Sequence, residues 1–136
     1  MSTYSTRLIG KEPVADRTVA FHFEKPPGFI FRAGQAIDLA LSTAEENGQV
    51  ARHAFSLVSA PSEERLTIAT RLRGSRYKED LLALPLGAAV QIDGPFGSLT
   101  LHKDVTRDAV MIAGGIGITP FVSIIRQAVQ QRAGLN

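Results

Sequence analysis

The sequence predicts a mainly β fold: a six-stranded antiparallel barrel with one short helix, followed by a β-α fragment of a parallel α/β domain. Three observations lead there. Through the first two thirds of the chain, apolar residues alternate with polar ones in short runs separated by turn formers, as in half-buried strands. One stretch after Ser75 changes to a helical period. Beyond about Lys103 a continuous apolar run leads through a glycine-rich turn into a second helical pattern, the signature of a strand buried on both faces.

The strands follow in order. Val19, Phe21 and Phe23 fall on one face of the first, with Thr18, His22 and Glu24 on the other. Lys25-Pro26-Pro27-Gly28 breaks it, and after Phe29, Phe31 and Gly34 alternation resumes at Ile37, Leu39 and Leu41. Asn47-Gly48 suits a tight hairpin because both residues tolerate positive φ. A third strand is expected from Arg52 to Val58, and a fourth, past Ala60-Pro61-Ser62, carries Leu66, Ile68 and Thr70. Tyr77, Leu81, Leu82 and Leu84 then form a short helix that Pro85 and Gly87 end. Val90 and Ile92 begin a fifth strand, stopped by Gly94-Pro95-Phe96-Gly97, and Leu99 and Leu101 make a sixth. Ala109 to Ala113 is the buried-type run, and Thr119 and Pro120 are suited to the N-cap and first position of the last helix. The domain boundary is expected at 103/104, with residues 1–103 as the barrel and 104–136 as the start of a second domain.

Composition removes several function classes. The 136 residues contain no cysteine, so disulfides, thiolate metal sites, catalytic thiols and cysteine-ligated clusters are excluded, and no metal ligand set is proposed. Redox chemistry would need a bound organic cofactor. The 15 basic and 13 acidic residues are scattered, without a tract for nucleic acid or a membrane surface. The N-terminus has no apolar signal core and no apolar run reaches the ~18 residues of a membrane span, so a cytoplasmic protein is expected.

Three segments could carry chemistry. Gly114-Gly115-Ile116-Gly117-Ile118-Thr119 joins a strand to a capped helix, where backbone N–H groups can approach a pyrophosphate at the helix's positive end; the competing reading is a tight structural turn. Arg52-His53-Ala54-Phe55-Ser56 presents an aromatic ring for a flat heterocycle, a hydroxyl for a ring nitrogen and cations for phosphate, although strand alternation alone can produce such a pattern. Arg71-Leu72-Arg73-Gly74-Ser75-Arg76-Tyr77-Lys78 sets a loop glycine and a capping serine among cations, either an anion site or a capped surface helix.

Taken in order, R-H-A-F-S-L-V-S-A-P, G-S-R-Y-K, G-P-F-G-S-L and G-G-I-G-I-T-P resemble the ferredoxin–NADP reductase superfamily over nearly the whole chain. The resemblance implies a barrel that binds FAD, less often FMN, and a following domain that binds NADH or NADPH, so that hydride passes to flavin N5 and electrons pass on to an acceptor. It implies that Phe55 packs on the flavin and that Ser56, the catalytic candidate, lies near N5. It assigns Gly74, Ser75 and Arg76 to the phosphates, with Arg71 on the strand leading there, and Gly114, Gly115, Gly117 and Thr119 to the nicotinamide nucleotide. Pro95 and Gly97 belong to the domain junction.

The family carries arginine two residues before the aromatic, where this chain has His53 and the arginine is Arg52. A one-residue offset reverses the face of a regular strand, so either His53 makes a weaker, pH-dependent contact or a bulge re-aims Arg52. The resemblance also implies that most of the nicotinamide domain is missing from this sequence. Residues 110–113 are then expected to pair with a second copy or a complementing fragment. The alternative function is a non-catalytic barrel that serves as a binding or assembly module without flavin.

Overall fold

A computed structural model describes residues 2–46, 48–103 and 106–134. Six antiparallel strands form one sheet: β1 (Ser2–Ala15), β2 (Thr18–Glu24), β3 (Ala36–Glu46), β4 (Gln49–Ser56), β5 (Arg65–Arg71) and β6 (Ala89–Phe96). Helix α1 (Arg76–Ala83) lies between β5 and β6, and a 3₁₀ turn (Gly115–Ile118) runs into helix α2 (Thr119–Gly134). The strand order is β4-β3-β6-β1-β2-β5, which leaves β4 and β5 at the two ends. The chain leaving β4 draws those ends together. The Leu57 N–H donates to the Gln35 carbonyl (3.0 Å) and the Val58 N–H to the Thr67 carbonyl (2.8 Å). The sheet thus curls into a barrel whose seam, between β4 and β5, is stitched at one end.

The mainly β reading holds, but the membership of the six differs. Strand β1 was not expected, because its alternation is mixed: Thr6 is buried on the same face as Leu8, with its hydroxyl donating to the Glu24 carbonyl, while Ile9 and Val14 face outward. Residues 99–101 form no strand. The Ala109–Ala113 run forms none either, and Val110 and Ile112 are 84% and 86% exposed. A parallel strand needs neighbours for its N–H and C=O groups, and among the described residues no strand lies beside this run. The expected 103/104 boundary lies at the edge of the described residues, of which 97–103 before it and 106–114 after it carry no helix or strand.

The expected faces of β2 need one correction. Phe21 and Phe23 enter the core with Leu8, Leu39, Leu66 and Ile68, yet His22 is buried too. Its Nδ1 lies 2.8 Å from Thr67 Oγ1 and its Nε2 3.2 Å from Glu12 Oε1, so strand neighbours cover and satisfy the imidazole. Asn47 of the expected hairpin lies outside the described residues; Gly48 has φ +77°, and β3 and β4 flank it with Glu46 opposite Gln49.

Helix α1 forms where the period predicts. Ser75 caps it in extended conformation (φ −98°, ψ 142°) and accepts from the Lys78 N–H, while Tyr77, Leu81 and Leu84 turn inward. Helix α2 starts differently from expectation. Thr119 has helical dihedrals (φ −55°, ψ −44°), because the 3₁₀ turn already supplies the first helical residues, and extended Gly114 precedes it without a side-chain cap. Among the described residues no helix is long and apolar enough to cross a membrane.

Candidate functional site

The site lies along the barrel seam. Strand β4 keeps regular register with β3 from Ala51 to Ser56, so His53 and Phe55 share one face and Arg52 takes the other. Among the described residues the register shift of that pair falls earlier, between Leu41 and Glu45, and does not re-aim Arg52. Arg52 Nη1 instead donates to Asp93 Oδ2 on β6 at 2.6 Å, and the Thr3 hydroxyl donates to the other oxygen of the same carboxylate. On the seam side the His53 ring stacks on Tyr77 of α1 (centroids 3.9 Å apart, planes 10°), and Phe55 lies against the same ring (6.1 Å, 26°). The result is an aromatic wall built from one strand and one helix.

Next to the wall is the start of α1. The Ser75 cap and Gly74 line a hollow of about 100 Å³ together with Leu72, Arg73, Lys78 and Leu82. Lys78 ties the helix to the end of β5 through a 2.8 Å hydrogen bond from Nζ to the Arg71 carbonyl. A helix start with lysine and arginine beside it suits a negatively charged group.

The third wall comes from the glycine-rich turn, held by the docking of α2. Ser123, fully buried, donates to the Ser59 carbonyl at 2.7 Å; Arg126 pairs with Glu63, and the Ser62 hydroxyl donates to Gln130. Docking sets Ile116, Gly117, Thr119 and Pro120 opposite His53, Ala54, Phe55 and Ser56, with Ala69, Thr70 and Lys78 completing a cavity of about 370 Å³. That volume suits a planar heterocycle, and the lining mixes rings, hydroxyls and one amine. A more apolar cavity of about 520 Å³ adjoins it, between the β1–β2 turn, β5 and the 3₁₀ turn, sharing Ala69, Ile116 and Thr119.

Known proteins are similar to this chain in sequence and share its fold. The chain is 33% identical over 137 residues to ferredoxin–NADP reductase B of Sorangium cellulosum, an alignment covering 98% of this chain and 55% of that one. In structure it resembles a ferredoxin NADP⁺ reductase from Neisseria gonorrhoeae with bound FAD and NADP, at TM-score 0.78 and 24% identity, covering 96% of this chain and 53% of that one. The chain belongs to the ferredoxin–NADP reductase superfamily. It is also 34% identical over 119 residues to dual oxidase 1 of Homo sapiens, covering 79% of this chain and 7% of the oxidase. It spans about half the length of the Sorangium reductase and a small part of the oxidase. No protein-family model matches the sequence.

Of the residues that the superfamily resemblance singles out, His53, Phe55, Ser56, Gly117 and Thr119 meet in the 370 Å³ cavity, and Gly74 and Ser75 meet in the hollow beside it. Gly115 and Arg71 line the apolar cavity instead. Arg76 is exposed, with Nε 3.9 Å from Asp80 one turn on, and Gly114 begins the 3₁₀ turn by accepting from the Gly117 N–H (3.1 Å). Arg52 lies outside the seam, held by Asp93. Lys78, Thr70 and Tyr77 join the site without having been singled out. Lys78 and Tyr77 stood in the basic segment as helix residues, and Thr70 looked like an ordinary strand position. Only the closing of the barrel brings β5 and α1 up to β4.

Proposed function

We propose that this chain is the flavin-binding part of a nicotinamide-dependent oxidoreductase, with residues 1–103 as the FAD-binding barrel and 104–136 as the start of the NAD(P)-binding domain. The observation that carries the reading is the seam cavity. An aromatic wall, a hydroxyl and a glycine turn converge there, with the capped start of α1 in the hollow beside it. A bound flavin would supply hydride acceptance from NADH or NADPH and delivery of electrons to an acceptor.

This chain's own residues do the rest. Phe55 and His53, backed by Tyr77, form the apolar wall for the ring system and exclude water from one face. Ser56 ends β4 with its hydroxyl available to the edge of the ring. Gly74, Ser75 and the positive end of α1 receive phosphate, with Lys78 and Arg73 adding charge. Gly115 and Gly117 leave room for a nucleotide to approach, since a Cβ added at either would meet nothing within 4 Å.

Purified full-length protein is expected to be yellow, or to become so with FAD, and to show the flavin absorption bands. Protein that stays colourless in excess FAD would refute the assignment. His53→Arg is expected to tighten flavin binding by adding a permanent cation while keeping a planar group that can stack on Tyr77. The second reading, a barrel module without flavin, is favoured by one feature, the engagement of Arg52 with Asp93 instead of a ligand. The same spectrum decides between them.

A further inference from the structure

We infer that Tyr77 is a positioning residue that sets the distance between the two ends of the cofactor site, the aromatic wall on β4 and the anion-receiving start of α1. The inference rests on the flavin reading above. Tyr77 is the second residue of α1, two positions past the Ser75 cap, so its backbone belongs to the helix turn that faces the phosphate hollow. Its side chain runs the other way, into the barrel, and is 2% exposed. The ring meets His53 nearly face to face and touches Phe55 as well, so it backs both aromatic residues of the cavity. The hydroxyl donates to the Leu39 carbonyl at 2.6 Å, and Leu39 is the residue directly opposite His53 in the β3–β4 ladder.

One side chain therefore grips the wall from the ring side and from the backbone side, while its own main chain carries the helix start. A second tie, from Lys78 to the Arg71 carbonyl, joins the helix to β5 and not to the wall. For a ligand with a flat ring at one end and phosphates at the other, affinity depends on both ends fitting at once. A fixed separation makes the second contact effectively intramolecular. A residue that merely fills the core would weaken every ligand alike.

The test compares FAD with its two halves. Affinities for FAD, riboflavin and ADP are measured on full-length wild type, Tyr77→Leu and Tyr77→Phe by NMR titration, which also reads weak binding. Tyr77→Leu is expected to lower FAD affinity at least tenfold and to change riboflavin and ADP by less than threefold each. Equal losses for all three, or no loss for FAD, overturn the inference. If Tyr77→Leu does not fold, Tyr77→Phe decides. It keeps the ring and loses the hydroxyl that donates to the Leu39 carbonyl, so FAD alone is expected to weaken, by two- to fivefold; no FAD-selective loss overturns the inference. A wild type that binds no FAD refutes the flavin reading separately. The His53 ring protons then decide the placement of Tyr77, since they are expected upfield in wild type and at ordinary shifts in Tyr77→Leu. Ordinary shifts in wild type overturn it.

Discussion

Gly34 sits where the barrel, the stretch after β6 and helix α2 meet, and replacing it by alanine tests whether that junction is as closely packed as described. Its φ of +100° lies in the region that residues with a Cβ rarely adopt, and the Cβ of an alanine there would stand 1.7 Å from the Leu99 carbonyl oxygen and 3.2 Å from Ile124 Cδ1. The first contact is with backbone, so no side-chain rotation relieves it. Gly28 provides the reference: its φ is +80°, but nothing lies within 4 Å of the added atom. Gly28→Ala should therefore cost only backbone strain, about 1–2 kcal/mol. Gly34→Ala should cost that plus displacement of the segment around Leu99, together roughly 3–5 kcal/mol. Against a typical total of about 5–15 kcal/mol, that is a large share of the stability. Thermal unfolding followed by circular dichroism is expected to show a drop of about 3–8 °C for Gly28→Ala and more than about 10 °C for Gly34→Ala. Equal drops for the two variants would refute the reasoning, because only Gly34 has a neighbour to collide with.

Ser56→Ala in full-length protein is expected to leave flavin bound and to slow its reduction by NADH or NADPH by about tenfold or more, as a lost hydrogen bond near the reacting edge should; unchanged stopped-flow reduction kinetics would remove Ser56 from the chemistry. Arg52→Gln removes the cation beside Asp93; the arginine side chain is 49% exposed but the carboxylate only 10%, so a loss of about 1–3 kcal/mol is expected, with FAD affinity within twofold of wild type. A tenfold fall in affinity would show that Arg52 reaches the ligand. Ser123→Ala removes the buried hydrogen bond to the Ser59 carbonyl and should loosen α2 by about 1–2 kcal/mol, seen as faster amide exchange along that helix. Protection equal to wild type in α2 would mean that the Arg126–Glu63 pair holds the helix without it.

By itself the sequence determined what depends on neighbouring residues. The alternation at Phe21–Phe23 and Ile37–Leu41, the Ser75 cap with Tyr77 and Leu81 one turn apart, and the glycine turn before α2 are all local patterns, and they appear in the structure. The order of motifs along the chain was local information too, and it pointed to the superfamily. What depended on distant partners was not legible. Strand β1 was hidden because Thr6 is buried by a hydroxyl bond to Glu24 while Ile9 and Val14 face outward, a pattern that makes sense only with β2 and β6 on either side. The run at 110–113 reads as a strand, but with no strand of the described residues beside it none forms. The two faces of β4 could be predicted, yet neither Asp93 as the partner of Arg52 nor Tyr77 as the partner of His53 could. Those contacts arise when the sheet curls until β4 and β5 approach, and long-range closure of that kind is decided by the packing of the whole core.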